Sequence, residues 1–363
     1  ILLLLLVGVG WQLWSQRPVA VSPRSIAPGV SYWAEKVALG GREAGWVRVA
    51  DVPQLAGAAI HEGHHADRRV NGVPTGRHYG VITYSGDRPE QWASAEGAWV
   101  HGYWTWDWAE STQRIERIDT KLRRLELAPP HHRYGYTAEQ RYYYFNIPEE
   151  LDSPGEWYLD RESGHLFLWP PDEGFSGEVG VSRLAGAAIR IDNAEHLRLS
   201  GFTFTHTRGP AIHITDSRSV TVEACGFTCL GGRAVTIAGG SDCGVRDSDF
   251  TEIAAGAVLI DGGDRRTLEP GRHFAENNRI WRFSQVYRTN HPAIRIHGVG
   301  HRVAHNLVHD APHMGMYFRG NDHLIEYNEI HDIAQETGDV GAIYTGRDYT
   351  SRGTIVRYNY LHH

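Results

Sequence analysis

Cysteine is scarce in this chain. Cys225, Cys229 and Cys243 are the only three among 363 residues, an odd count too small for a disulfide framework. One bridge is possible and none is required, so a packed core must hold the fold. Basic runs are missing too: 36 Lys and Arg face 43 Asp and Glu, for a net charge of −7. Nothing here neutralises phosphates, which excludes nucleic acid and anionic membrane surfaces as expected partners. A neutral or mildly charged ligand fits better. From Gly186 onward the chain has Arg but no Lys, and no stretch of 3.6-residue periodicity lies between its short apolar runs, which excludes a helical leucine-rich solenoid. What is present is ordinary globular material, 41% hydrophobic and 22% charged, with room for two cores.

The opening ILLLLLVGV runs apolar almost to Trp14, and small residues suited to signal-peptide cleavage follow near Ala20. The run is short for a membrane span. With no Met or basic segment before it, residues 1–20 read as a clipped signal peptide or anchor, and the protein is expected to leave the cytoplasm. Residues 30–185 are rich in Trp and Tyr, with short alternating runs such as GRHYGVITYSG, GAWVHGYW and RIERIDTKLRRLEL between Gly and Pro signals. An antiparallel β domain is predicted there. ELDSPGEWYLDRESGHLFLWPP reads as strand, turn, strand, closed by Pro170-Pro171.

Over 186–363 a repeat takes over. One column has an aliphatic residue, a small or amide residue three later, and an apolar residue two later again: Leu197/Ser200/Phe202, Val222/Cys225/Phe227, Val245/Ser248/Phe250, Val303/Asn306/Val308, Ile325/Asn328/Ile330, Val356/Asn359/Leu361, with Asn278 and Ile280 as one more rung. A second column places an apolar residue two before glycine: Ile237/Gly239, Ile260/Gly262, Ile296/Gly298, Phe318/Gly320, Tyr344/Gly346. These glycines recur at intervals of 23, 36, 22 and 26 residues. A period in the low twenties with very short strands, lengthened by inserted loops such as 261–276, predicts a right-handed parallel β-helix in the C-terminal half of an all-β chain. Asn306 and Asn328 should stack as an amide ladder. The last coil ends at His362 and His363 without a polar cap, so further coils are expected beyond it.

Equal offsets in successive coils form columns about 4.8 Å apart. Two residues before the second strand of a coil stand His291, His313 and Asp339; after the first strand come His309-Asp310 and His331-Asp332, with Arg319 and Arg347 near the strand ends. Glycoside hydrolysis needs two carboxyls flanking the bond, about 5 Å apart for retention and roughly 6.5 to 9.5 Å for inversion, and one or two coils supply either spacing. His-Asp after a strand is also turn chemistry, the reading that best suits Asp310 and Asp332. Asp339 lies in the polar loop AQETGDV, where function concentrates. His61-Glu62-Gly63-His64-His65 matches the zinc pattern HExxH, yet no helix or third ligand accompanies it, and a solvated His-rich loop is the better reading. Trp99, Trp104, Trp106 and Trp108 form either a sugar-stacking platform or, more in keeping with alternating aromatics, a β core or seam.

GDRPEQW, HGYWTWDWAE and ELDSPGEWYLDRESGHLFLWPP, with NEIHD, GDVGAIYTGR and NYLHH in the coils, resemble the right-handed β-helix proteins related to glycoside hydrolase family 141. The likeness spans about three quarters of the chain. It implies hydrolysis of plant-type glycans, α-L-fucosides or xylan among them, with Asp339 as the acidic position carried over and its partner acid beyond His363. The expected protein is therefore an exported glycoside hydrolase. Asp339 would be general acid or base and Asp310 or Asp332 a secondary carboxylate. His291, His313, His309, His331, Arg319 and Arg347 would bind sugar or tune the carboxyls; no cofactor or metal is needed. A polysaccharide lyase acting on uronic acids, with Arg319, Arg347 or a His as base, and a non-catalytic glycan-binding protein are the alternatives.

Overall fold

The computed structural model describes residues 65–138, 140–170 and 181–363. The proposed leader at 1–20 and most of the HExxH pattern lie outside them. From Ile189 onward the chain winds through three parallel sheets of seven strands each, every coil contributing one strand to each sheet. The first sheet begins with Ile189–Asp192, continues through Val258–Gly262, Ile294–Gly298 and Met316–Phe318, and ends with Ile343–Tyr344. The second runs from Arg198–Ser200 to Ile355–Arg357, the third from Thr203–Thr205 to Tyr360–His362. This is the right-handed parallel β-helix, the hand that parallel crossovers take. Among the described residues no helix is long and apolar enough to cross a membrane.

The apolar columns form the core. Val222, Val245, Ala275, Val303, Ile325 and Val356 align rung by rung in the second sheet. Phe204, Phe227 and Phe250 stack in the third at centroid distances of 5.1 and 4.5 Å with nearly parallel rings, each contact adding about 0.5–1.5 kcal/mol to the burial itself. In the turn between these sheets the side-chain amides of Asn278, Asn306 and Asn328 donate in series, at 3.0, 2.9 and 2.9 Å, to the Oδ1 of the next asparagine, ending at Asn359. Backbone N–H groups share the same acceptors, so the buried amides are satisfied. Glycine marks the end of the first-sheet strands for a steric reason. Gly298 has φ +92°, and a Cβ there would lie 1.9 Å from the Gly262 carbonyl oxygen.

Two rungs sit differently from their sequence assignment. Leu199 pairs with Val222 and Phe204 with Phe227, so the first coil is Leu199/Phe202/Phe204 rather than Leu197/Ser200/Phe202. Alternating apolar residues there offered two registers, and sheet pairing selects the later one. In the last coil Met316 pairs with Ile343 and Tyr317 with Tyr344. Ile343 therefore packs on the core and Tyr344 points outward, since a one-residue slip exchanges the faces.

Before the solenoid, a five-stranded antiparallel sheet is ordered Val81–Thr83, Arg124–Leu127, Ser111–Asp119, Trp99–Gly102, Tyr142–Phe145. RIERIDTKLRRLEL is not one run but a hairpin: Asp119 Oδ1 accepts the Leu122 N–H in a turn where Arg123 has φ +52°. Ile82, Val100, Trp104, Ile115, Leu125 and Tyr136 pack a second core. Trp157–Leu159 and Leu166–Leu168 form the small hairpin read from ELDSPGEWYLDRESGHLFLW. The three cysteines are free and buried.

Candidate active site

The two cores meet at a polar seam. Glu110, just ahead of the strand Ser111–Asp119, accepts a hydrogen bond from the Thr289 hydroxyl. The Asn290 side-chain amide donates to the Trp108 carbonyl at 3.1 Å. Arg288 grips Glu336 through two guanidinium nitrogens, while Tyr103 donates to Glu336 at 3.2 Å and Arg141 donates to its backbone carbonyl. Burial pushes the Glu110 carboxyl up to about 7, against the lowering effect of the Thr289 and Arg288 backbone N–H groups. Burial, then the nearby Arg288 and Arg141, drives His101 down to about 3. Glu110, Arg288 and Glu336 all have protein partners, so the seam reads as a clamp between the two cores. Sequence reasoning missed it because its members are about 180 residues or more apart, apart from the Arg288–Glu336 pair. Glu336 belongs to the AQETGDV loop singled out for Asp339.

The tryptophans divide. Trp104 is buried in the antiparallel core and donates to Ser111. Trp99 stacks on Phe145 at 6.4 Å, and Trp106 and Trp108 stack on each other at 6.3 Å. They form core and seam contacts rather than one platform. Of the HExxH pattern only His65 lies among the described residues, and it begins a strand, His65–Val70.

The outward side of the first sheet differs in character from the seam. Arg295, Tyr317 and Tyr344 are successive rungs of one outward column, and Asp261 and His297 are neighbours in the next. The guanidinium groups of Arg295 and Arg319 lie 4.7 and 5.5 Å from the Tyr317 ring centre, a cation–π arrangement. His297 meets the same ring edge-on at 6.0 Å, and Tyr344 stacks on it at 6.2 Å. His291, whose Nδ1 lies 2.7 Å from the Thr289 carbonyl oxygen, and His313 flank the start of these strands. Burial lowers both rings to about 4, with Arg233 and Arg295 adding to the effect at His291, and His291 at His313. His313 is 2% exposed, and neither ring nitrogen has a hydrogen-bond partner. Burial, and then Arg295, pushes Arg233 down to about 10. Thus His291, His313 and Arg319 are gathered around one face, together with Arg233, Arg295, His297 and Tyr317, which the sequence reading did not single out. Their signal was alternation: each of the last four stands beside an inward-facing repeat position.

Asp310 and Asp332 occupy another column, at the corner leaving the third sheet. His309 pairs with His331 in register, so the two aspartates that follow are one coil apart, about 4.8 Å. Each accepts from its own histidine Nδ1, at 2.8 and 2.7 Å. Both have positive φ, +54° and +47°, a conformation Asp tolerates; neither was found holding a turn N–H with its carboxylate. The hydrogen bond from His331 holds the Asp332 carboxyl below its usual range. The rings of Trp281, His309, His331 and His362 stack along this column at 6.0, 4.9 and 4.8 Å. Glu329, His331 and His362 also bring ligand atoms within 4.8 Å of one another. Asp339 does not join its expected column: the pairing of Met316 with Ile343 aligns His313 with Val340. Asp339 is exposed at φ +53°, and Arg347 is exposed as well.

No protein-family profile matches the chain, and a search of curated proteins found no match. Among solved structures the chain is similar to one described as a glycoside hydrolase, at 15% sequence identity and a TM-score of 0.62, over 85% of this chain and 67% of that one. At that identity the likeness is one of fold: this chain has a fold found in a glycoside hydrolase.

Proposed function

We propose that the chain is an exported glycoside hydrolase that holds a plant-type glycan across the outward face of the first sheet. The observation that carries this reading is the face itself. Aromatic rings and histidines converge on it with nitrogens that no protein group satisfies, whereas the charged groups of the seam beside it are paired with one another. The fold of the similar solved structure supports it. So does the resemblance of GDVGAIYTGR and ELDSPGEWYLD to family 141.

Asp310 stands in the segment that joins the third-sheet strand Leu307–His309 to the first-sheet strand Met316–Phe318, with Asp332 one coil on. Their one-coil offset is close to the separation of about 5 Å that suits a retaining mechanism. Asp332, kept ionised by His331, is assigned as nucleophile and Asp310 as proton donor to the departing sugar. Asp339, carried over from the resemblance, is the competing acid. β-Elimination on a uronate is a second reading. Its base would be Arg319 or a histidine of the face.

The test is a reducing-end assay with absorbance at 235 nm on xylans, fucosylated glycans and uronate polymers, run on the chain and on Asp332→Asn, Asp310→Asn and Asp339→Asn. New reducing ends without absorbance are expected, and their loss in one variant identifies the acid. Absorbance would replace hydrolysis by elimination, and silence on every polymer would overturn the enzymatic reading.

A further inference from the structure

Resting on the reading of this face as the glycan site, we propose that the glycan it takes is acidic, its carboxylate or sulfate groups held by Arg233, Arg295 and Arg319. Elsewhere in the solenoid many arginines are matched with acids, Arg190 with Asp192 at the start of the first sheet among them. Arg198 and Arg246 share Glu223. Arg302 bridges Glu276 and Glu326, and Arg357 also reaches Glu326. Arg272 pairs with Asp242 and Arg265 with Asp348. The part of the first-sheet face around Arg295 breaks this pattern.

Arg295 spends one nitrogen on the Asn290 carbonyl, and the charged group that bears on it is Arg319. Arg233 has Arg295 as its electrostatic neighbour. The Nε atoms of Arg233 and Arg319 are buried without a hydrogen-bond partner, as are Nε2 of His297 and both nitrogens of His313. The one carboxylate that acts on this group is that of Asp261, which is exposed and affects His297.

Three guanidinium groups that are half-buried and mutually repelling are costly in an empty face. An anion among them would offset that repulsion. The planar fork of guanidinium is suited to two-point contact with a carboxylate or sulfate. Tyr317, buried between Arg295 and Arg319, holds the two guanidinium groups in place by cation–π contact. A neutral glycan would leave the cations unbalanced, so charge is expected to act as a specificity filter.

The experiment is titration calorimetry of the full chain with two matched pairs: oligogalacturonate against its carboxyl-reduced form, and a sulfated oligogalactan against its desulfated form. The acidic member of one pair is expected to bind at least tenfold more tightly, by a margin that shrinks with added salt. Which pair shows the margin tells carboxylate from sulfate. Arg295→Gln and Arg319→Gln should each reduce it by about tenfold or more, while Arg295→Lys and Arg319→Lys, keeping the charge without the fork, retain part of it. Thermal unfolding identifies any Gln variant that fails to fold, in which case the Lys variants decide. Equal binding within both pairs, binding only of neutral glycans, or a margin untouched by these variants would overturn the proposal and leave glycan cleavage standing. If no glycan binds and the cleavage screen is also silent, both readings fall.

Discussion

Replacing Asn306 with Ala should be among the most damaging single changes in the solenoid. Its Oδ1 accepts both the backbone N–H and the side-chain amide of Asn278, at 3.1 and 3.0 Å. Its own amide donates to the carbonyls of Ala275 and Ala304 and to Asn328 Oδ1. The substitution orphans two buried donors on Asn278 at about 1–3 kcal/mol each, and strips those acceptors of a donor. A loss of roughly 3–6 kcal/mol follows before the small cavity is considered. Asn359 offers the same two acceptor bonds to Asn328 but is only partly buried; water can replace its amide, so Asn359→Ala should cost about 1–2 kcal/mol. Urea unfolding followed by far-ultraviolet circular dichroism measures both. Equal costs in the two variants, or less than about 1 kcal/mol for Asn306→Ala, would refute the view that burial of the ladder sets its worth.

The seam should respond to pH through Glu110, whose folded pKa of about 7 lies above its ordinary 4.5. Its contribution is complete below 4.5 and lost as pH rises through 7, roughly 3 kcal/mol in all, so it opposes the buried histidines, and Glu110→Gln should steepen the loss of stability on acidification across that window. An unchanged slope would show that this carboxyl is not buried at the seam in solution. The buried histidines act with the opposite sign. His101, His291, His301 and His313 are held down to about 3, 4, 2 and 4 by burial, so stability present above 6.5 falls as the medium is acidified, by about 1.4 kcal/mol per group and pH unit. Denaturation midpoints in Glu110→Gln should therefore drop between pH 6.5 and 5, and a flat profile there would refute the assignment.

The solenoid was legible because each coil repeats the same demands: an apolar inward residue, a corner amide, a glycine where Gly298 leaves no room for Cβ. Register failed at the two ends. Leu197 and Leu199 are chemically equivalent, and Tyr344 resembles a core residue until Tyr317 pairs with it. A further column, Cys243, His273, His301 and His323, each two residues before an aligned apolar position, could have been read and was not. In it each histidine Nδ1 accepts the backbone N–H of the preceding rung, at 3.1–3.2 Å, and the rings stack at 5.0 and 5.2 Å. The candidate site was legible only in part. His291, His313 and Arg319 fell in recognisable columns, whereas Arg233 and Arg295 come from coils whose outward residues follow no common chemistry.

That irregularity is itself expected of a site on a β-helix. Inward positions are constrained by the core, and corner positions by the backbone groups they must satisfy, as the asparagine and histidine ladders do here. Outward positions carry neither demand and can differ from coil to coil. On the second sheet they settle into alternating charges that neutralise one another. Around Arg295 on the first sheet they do not, and Arg233, Arg295 and Arg319 gather instead beside Tyr317. Repeat analysis finds the scaffold, and the place where outward residues stop balancing one another is where a ligand has a reason to bind.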